Sequence, residues 1–181
     1  MDIVAIMNEV HQTAVEHGWW DNERDPREAI ALMHSELSEA LEEARQGRPM
    51  YYSNPDNPAK PEGIGIELID FVIRALDFMG HFEVPYIEKS KRGIIDVSED
   101  ALPIMIFKVH AVLDAASIPD NPMLDFDTGK FNDKVEIGFI MSAAIDMVFD
   151  WLRAHGASPE AFLKEKAEFN KSRPHKHGKQ F

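Results

Sequence analysis

Residues 64–80, IGIELIDFVIRALDFMG, constrain the fold more than any other stretch of the chain. Apolar residues stand on nearly every side of a helix drawn through them, so that helix belongs among other helices rather than at the surface. Glu67, Asp70, Arg74 and Asp77 nonetheless fall in one stripe, about 80° wide at about 100° per residue. A carboxylate buried without a partner costs on the order of several kcal/mol. The stripe therefore either faces water, with Arg74 pairing Asp70 one turn away, or meets a cation or a metal.

The flanking sequence supplies the other helices. Residues 3–17 place Ile3, Val4, Ile6, Met7, Val10 and Ala14 at helical spacing, and Gly18 offers a stop. Pro26 suits a first helical position, and Ile30, Met33, Leu37, Ala40, Leu41 and Ala44 continue one apolar face to near Gly47. The stretch 47–63, GRPMYYSNPDNPAKPEG, cannot continue a helix and reads as a long loop of the kind that often carries function. A linker at 84–98 precedes a helix at 101–116, a loop at 117–134 and a second all-round apolar helix at 135–156. Ser158 and Pro159 start a last helix to about residue 172, and a basic tail, RPHKHGKQF, closes the chain at 173–181. No convincing period-two strand interrupts this pattern, so the expected class is all-α, a helical bundle forming one domain over 1–181.

The two halves, 1–83 and 97–172, follow a similar plan. IDFVIRALDF overlays IDMVFDWLRA with Asp70 on Asp146, which puts Ala143 at the place of Glu67, and Lys108 and Ala111 at the places of Glu36 and Glu39. The expectation is a degenerate internal repeat of a helical hairpin, with the acids kept in the first copy alone.

Composition narrows the functions open to such a bundle. With 32 acidic against 19 basic residues the formal net charge is −13, so the overall field opposes a nucleic acid polymer. A small phosphorylated ligand stays open, because carboxylate-held divalent cations bridge two negative parties. The absence of cysteine removes disulfides, thiolate zinc sites and a Cys nucleophile. No run approaches the ~20 apolar residues needed to span a bilayer, and the amphipathic N-terminus is unlike a leader, so no membrane and a cytoplasmic location are expected.

Glu36, Glu39 and Glu43 share one flank of the second helix at spacings of three and four, where like charges repel. Alone, such a run is usually a solvated helix face. Paired with Glu67-x-x-Asp70 on the next helix, Glu36-x-x-Glu39 can bring four carboxylates together across an antiparallel hairpin, a hard-oxygen set suited to Mg²⁺ or Mn²⁺. Di-iron bundles use Glu-x-x-His, which the first half lacks, and no His-Asp dipeptide of the helical metal phosphohydrolases occurs.

Those residues resemble the E-E-x-x-E and E-x-x-D motif of the MazG-like nucleoside triphosphate pyrophosphohydrolases, in the all-α NTP pyrophosphatase superfamily that includes dimeric dUTPases. Ser35 stands where the motif has its first Glu. GWWD, SELSEALEEAR, KPEGIGIELIDFVIRALDF and NKSRPHKHGK are similar to a MazG-like subgroup. The resemblance implies hydrolysis of a nucleoside triphosphate between its α and β phosphates. It implies that Glu36, Glu39, Glu67 and Asp70 hold Mg²⁺, with Mn²⁺ a possible substitute, and that a carboxylate activates water: Glu36 or Glu39, less so Glu43. Lys60 in the long loop, Asn170, and Arg173, Lys176 and Lys179 in the tail are candidate substrate contacts, and Trp20 is a candidate stacking surface for a base. A homo-oligomer, a dimer above all, is implied, with helices 64–80 and 135–149 at shared interfaces. The alternative is a catalytically silent nucleotide-binding or scaffold protein of the same fold.

Overall fold

A computed structural model describes residues 1–115, 131 and 133–178 of the chain. It is all-α, as the periodicity predicts. The long helices are α1 (Ile3–Glu16), α2 (Pro26–Arg45), α3 (Ile64–His81), α5 (Leu102–Asp114), α6 (Lys134–Ala154) and α7 (Pro159–Lys171), with a short α4 (Lys89–Arg92) and a 3₁₀ turn at His175–Gly178. Side-chain caps mark several starts. Asp2 accepts from the Ala5 N–H at 3.1 Å, Asp25 caps α2 just before Pro26, Asp133 caps α6, and Ser158 caps α7 just before Pro159. No described helix is long and apolar enough to cross a membrane.

Two elements lie where sequence patterning predicts only loop. A two-residue antiparallel ladder, β1 (Tyr52–Ser53) with β2 (Pro61–Glu62), folds the 47–63 segment back on itself, and α4 forms within the 84–98 linker. Both are too short for periodicity to reveal. The expected loop at 117–134 lies almost wholly outside the described residues.

Helix α3 is the central element, packed against α1, α2, α6 and α7, while α5 packs on α6 and α2. Ile66, Leu68, Ile69, Phe71, Val72, Ala75 and Leu76 are fully buried inside one chain. The apolar faces of α3 and α6 are therefore consumed by the chain's own core, which corrects the expectation that these helices lie at interfaces between copies. In the second half, Asp146 is buried; it pairs with Arg92 and accepts from the Tyr86 hydroxyl at 2.9 Å. With an arginine and a tyrosine on it, and Ala143 one turn before it, no second acidic cluster forms there among the described residues.

The start of α3 is fixed by backbone. The Ile64 and Gly65 N–H groups donate to the carbonyls of Pro49 and Met50 at 3.2 and 2.9 Å, so the residues after α2 hold two of the N–H groups that a helix end leaves unpaired. Gly63 makes this approach possible: its φ is +117°, and a Cβ there would lie 2.8 Å from the Pro49 carbonyl oxygen. Gly63→Ala should cost about 1–3 kcal/mol of stability. Gly47→Ala, also at positive φ (+71°) but with open space around it, should cost clearly less. Equal losses in urea unfolding would show that the carbonyl contact at Gly63 is not what matters.

Candidate metal and phosphate site

Glu36, Glu67 and Asp70 converge where α2 crosses the first two turns of α3. One carboxylate oxygen from each lies within 4.8 Å of the others, the one such group among the described residues. They line a cavity of about 250 Å³, whose wall also carries Glu39, Lys60, Arg74, Asp77, Lys166, Asn170 and Arg173. Of the four carboxylates expected to cluster, Glu39 stands apart: it lines the cavity but is exposed and outside the close group. Compared with protein-family models, with curated proteins and with solved structures, the chain matches none.

Electrostatics at the cluster are dominated by burial. Burial first, then the neighbouring Asp70 charge, pushes the Glu67 carboxyl from its ordinary 4.5 up to about 8, against the pull of Lys166. Burial also raises Glu36, although the Arg74 guanidinium donates to it at 2.5 Å. The anticipated i,i+4 pair of Arg74 with Asp70 does not form. Arg74 reaches across to Glu36 on α2, and Asp70 instead pairs at 2.7 Å with Lys166 of α7. Two cations thus face three close acids, and Glu67 has no ion-pair partner of its own among the described residues.

Sequence pattern does not single out Lys166, because it lies in a charged stretch, LKEKAEFNK, that reads as a solvated face. The signal was its register. Leu163, Lys166, Asn170 and Arg173 recur at three, four and three residues, one stripe of α7 and its exit, and Leu163 and Lys166 are both buried. Asn170 and Arg173, both anticipated, line the cavity, and the Asn170 Oδ1 is sealed from solvent without a hydrogen-bond partner. Burial lowers the Arg173 pKa from its ordinary value. Lys60 lines the cavity and pairs with Glu62 at 2.5 Å.

Other expected residues sit elsewhere. Lys176 does not line the cavity; its backbone N–H donates to the His17 carbonyl at 2.8 Å, and Lys179 lies outside the described residues. Trp20 is committed to packing, stacked on His81 with ring centroids 3.5 Å apart, its indole N–H donating to Asp77 at 2.9 Å. Its neighbour Trp19 is the tryptophan that lines the cavity. Glu43 lies against Tyr52, whose hydroxyl is pushed up to about 12 by burial and by Glu43, and it does not line the cavity. The Ser35 hydroxyl donates to the Leu32 carbonyl at 3.0 Å and is likewise absent from the wall.

The close carboxylates suit a hard divalent cation. Their oxygens are near enough to share one ion, and burial together with the Asp70 charge holds Glu67 up at about 8, with a proton that a bound cation would displace. Because Glu67 titrates near 8 folded but near 4.5 unfolded, the folded chain holds an extra proton between those values, and that stability is lost as pH rises through about 8. In chelator-treated buffer the melting temperature of the wild type should fall relative to that of Glu67→Gln from pH 5 to pH 8.5, whatever the other titrating groups contribute to both. An unchanged slope in the variant would contradict the assignment of the proton to Glu67. Lys166→Met leaves Asp70 without its ammonium partner and should cost about 3 kcal/mol. A loss below about 1 kcal/mol would mean the pair is solvent-screened rather than structural.

Proposed function

We propose that the chain is a Mg²⁺-dependent nucleoside triphosphate pyrophosphohydrolase of the MazG-like kind, releasing a nucleoside monophosphate and pyrophosphate. The observation that carries this reading is the convergence of Glu36, Glu67 and Asp70 on a cavity whose wall also holds Lys60, Arg74, Lys166 and Arg173. A cluster of acids would repel a triphosphate, and a cluster of bases would need no acids; the two together suit a metal-complexed polyphosphate. Glu36, Glu67 and Asp70 would hold Mg²⁺, or Mn²⁺ in its place, and the ion would neutralise phosphate charge when bound.

The remaining groups divide the chemistry. Glu39, lining the cavity yet outside the close cluster, would accept a proton from a water whose oxygen attacks the α-phosphorus, as the bond from that phosphorus to the bridging oxygen breaks and pyrophosphate departs. Lys60 and Arg173 are suited to the charge that grows on the departing pyrophosphate, and Lys166, which lines the same cavity and pairs with Asp70, would add a third positive group beside it. This division favours Glu39 over Glu36 as the base, since Glu36 is already bound by Arg74. Clearance of surplus or non-standard nucleotides is the cellular role that such a reaction suits.

A second reading is a catalytically silent nucleotide-binding or scaffold protein. Lys166 on Asp70 and Arg74 on Glu36 favour it, because fixed side-chain cations do part of a metal's electrostatic work. Product analysis separates the two. Purified protein with a panel of NTPs and dNTPs should release pyrophosphate, not orthophosphate, only with Mg²⁺ or Mn²⁺ present. Glu67→Gln and Asp70→Asn should each lose more than the ~10–100-fold that removing an outer-shell partner costs, with far-UV circular dichroism unchanged. Full turnover in both variants would remove these residues from the site, and no product from any nucleotide would favour the silent protein.

A further inference from the structure

Resting on the reading of this cavity as a nucleoside triphosphate site, we infer that its end remote from the carboxylate cluster selects a guanine base through Asp77 and Arg24. Both residues line the cavity. Asp77 follows Asp70 by seven residues on α3, about 10 Å along the helix axis at about 1.5 Å per residue. That is the scale of a ribose plus a purine, so phosphates near Asp70 put the base near Asp77.

Asp77 is a prepared acceptor. Its Oδ1 receives the His11 Nδ1–H at 2.8 Å and the Trp20 Nε1–H at 2.9 Å, while Oδ2 accepts from no described residue. Because a carboxylate only accepts here, His11 carries its proton on Nδ1, and the two donors fix the carboxylate's orientation. Trp20 is itself held by stacking on His81. Two acceptor positions on Oδ2 remain for a ligand.

Arg24 is the complementary donor. Its side chain is nine-tenths buried, Nε donates to Glu28 at 2.8 Å, and Nη2 is sealed from solvent with no hydrogen-bond partner. The guanidinium carbon lies 5.8 Å from the ring centre of Trp20, the same indole that donates to Asp77. An unmet buried guanidinium donor is costly unless a ligand meets it. The cavity wall therefore holds, both in contact with one fixed indole, a carboxylate with an oxygen that no described residue occupies and a guanidinium with one nitrogen unpartnered.

The base edges discriminate. Guanine presents N1–H and N2–H₂ donors side by side with the O6 acceptor next to them, donors for the Asp77 carboxylate and an acceptor for the Arg24 guanidinium. Adenine and cytosine each turn a ring-nitrogen lone pair toward the carboxylate next to their one amino group. Uracil and thymine flank a single N–H with two carbonyls, which a carboxylate repels. Losing one charge-assisted hydrogen bond is worth at least about tenfold in affinity.

Calorimetric titration of the Mg²⁺-supplemented protein with GMP, AMP, CMP, UMP and xanthosine monophosphate tests this directly, alongside hydrolysis of the matching triphosphates. GMP should bind at least tenfold more tightly than AMP, CMP or UMP. Asp77→Asn, which puts an amide N–H₂ where a carboxylate oxygen stood, should reverse the order of GMP and xanthosine monophosphate, since xanthine has a carbonyl in place of the N2 amino group. Equal binding of all bases by the wild-type protein, or a preference for another base, overturns the inference whether or not the variant folds. Guanine-selective binding without hydrolysis would overturn the pyrophosphohydrolase reading and uphold the base; hydrolysis with no base preference would do the reverse.

Discussion

Like-charge crowding at the crossing of α2 and α3 is the constraint around which this structure is organised. Glu36, Glu67 and Asp70 are brought together by the same burial that makes their ionised forms expensive, and Glu67 is displaced to about 8 as a result. The chain relieves part of the repulsion with Arg74 and with Lys166, contributed by two different helices. Those pairs tie α2 to α3 and α7 to α3, so the local charge problem and the packing of the first half are solved by the same contacts. A bundle needing only a core would have placed leucine at these positions.

Position follows from rigid elements rather than loops. Glu67 lies in the first turn of α3, and that turn is set by the Pro49 and Met50 carbonyls closing on the backbone at Gly63. Glu36 lies on a helix of 20 residues with an aspartate cap and a proline at its start. Lys166 and Asn170 come from one stripe of α7, which packs directly on α3, and Arg173 from the residues just past its end. The backbones that carry these groups are thereby fixed, whatever their side chains meet.

Much of this was legible in the sequence because helical period and acid spacing are local properties. The all-round apolar run of α3 called for burial, which holds; in its stripe of acids Asp70 meets Lys166 and Asp77 meets His11 and Trp20, while Glu67 has no ion-pair partner among the described residues. What local pattern does not contain is the choice of partner. Arg74 lies one turn from Asp70 yet binds Glu36, because α2 brings that carboxylate closer than the helix's own i−4 position. Lys166 lies 96 positions from Asp70 in a stretch that looks solvated, and only the docking of α7 buries it. Trp19 and Trp20 are adjacent, so their sequence says nothing of which faces the cavity; the hydrogen bond to Asp77 and the stack on His81 decide that. The expectation that α3 and α6 meet another copy failed for a related reason: their apolar faces are satisfied within one chain.

The proposed chemistry requires that Glu36, Glu67 and Asp70 share a divalent cation. Anomalous diffraction from crystals soaked in Mn²⁺ tests it most directly. A peak among the three carboxylates, with the Lys166 ammonium moved off Asp70, is the predicted result. Saturating Mn²⁺ that leaves the Lys166–Asp70 pair intact and gives no peak at the cluster would contradict it.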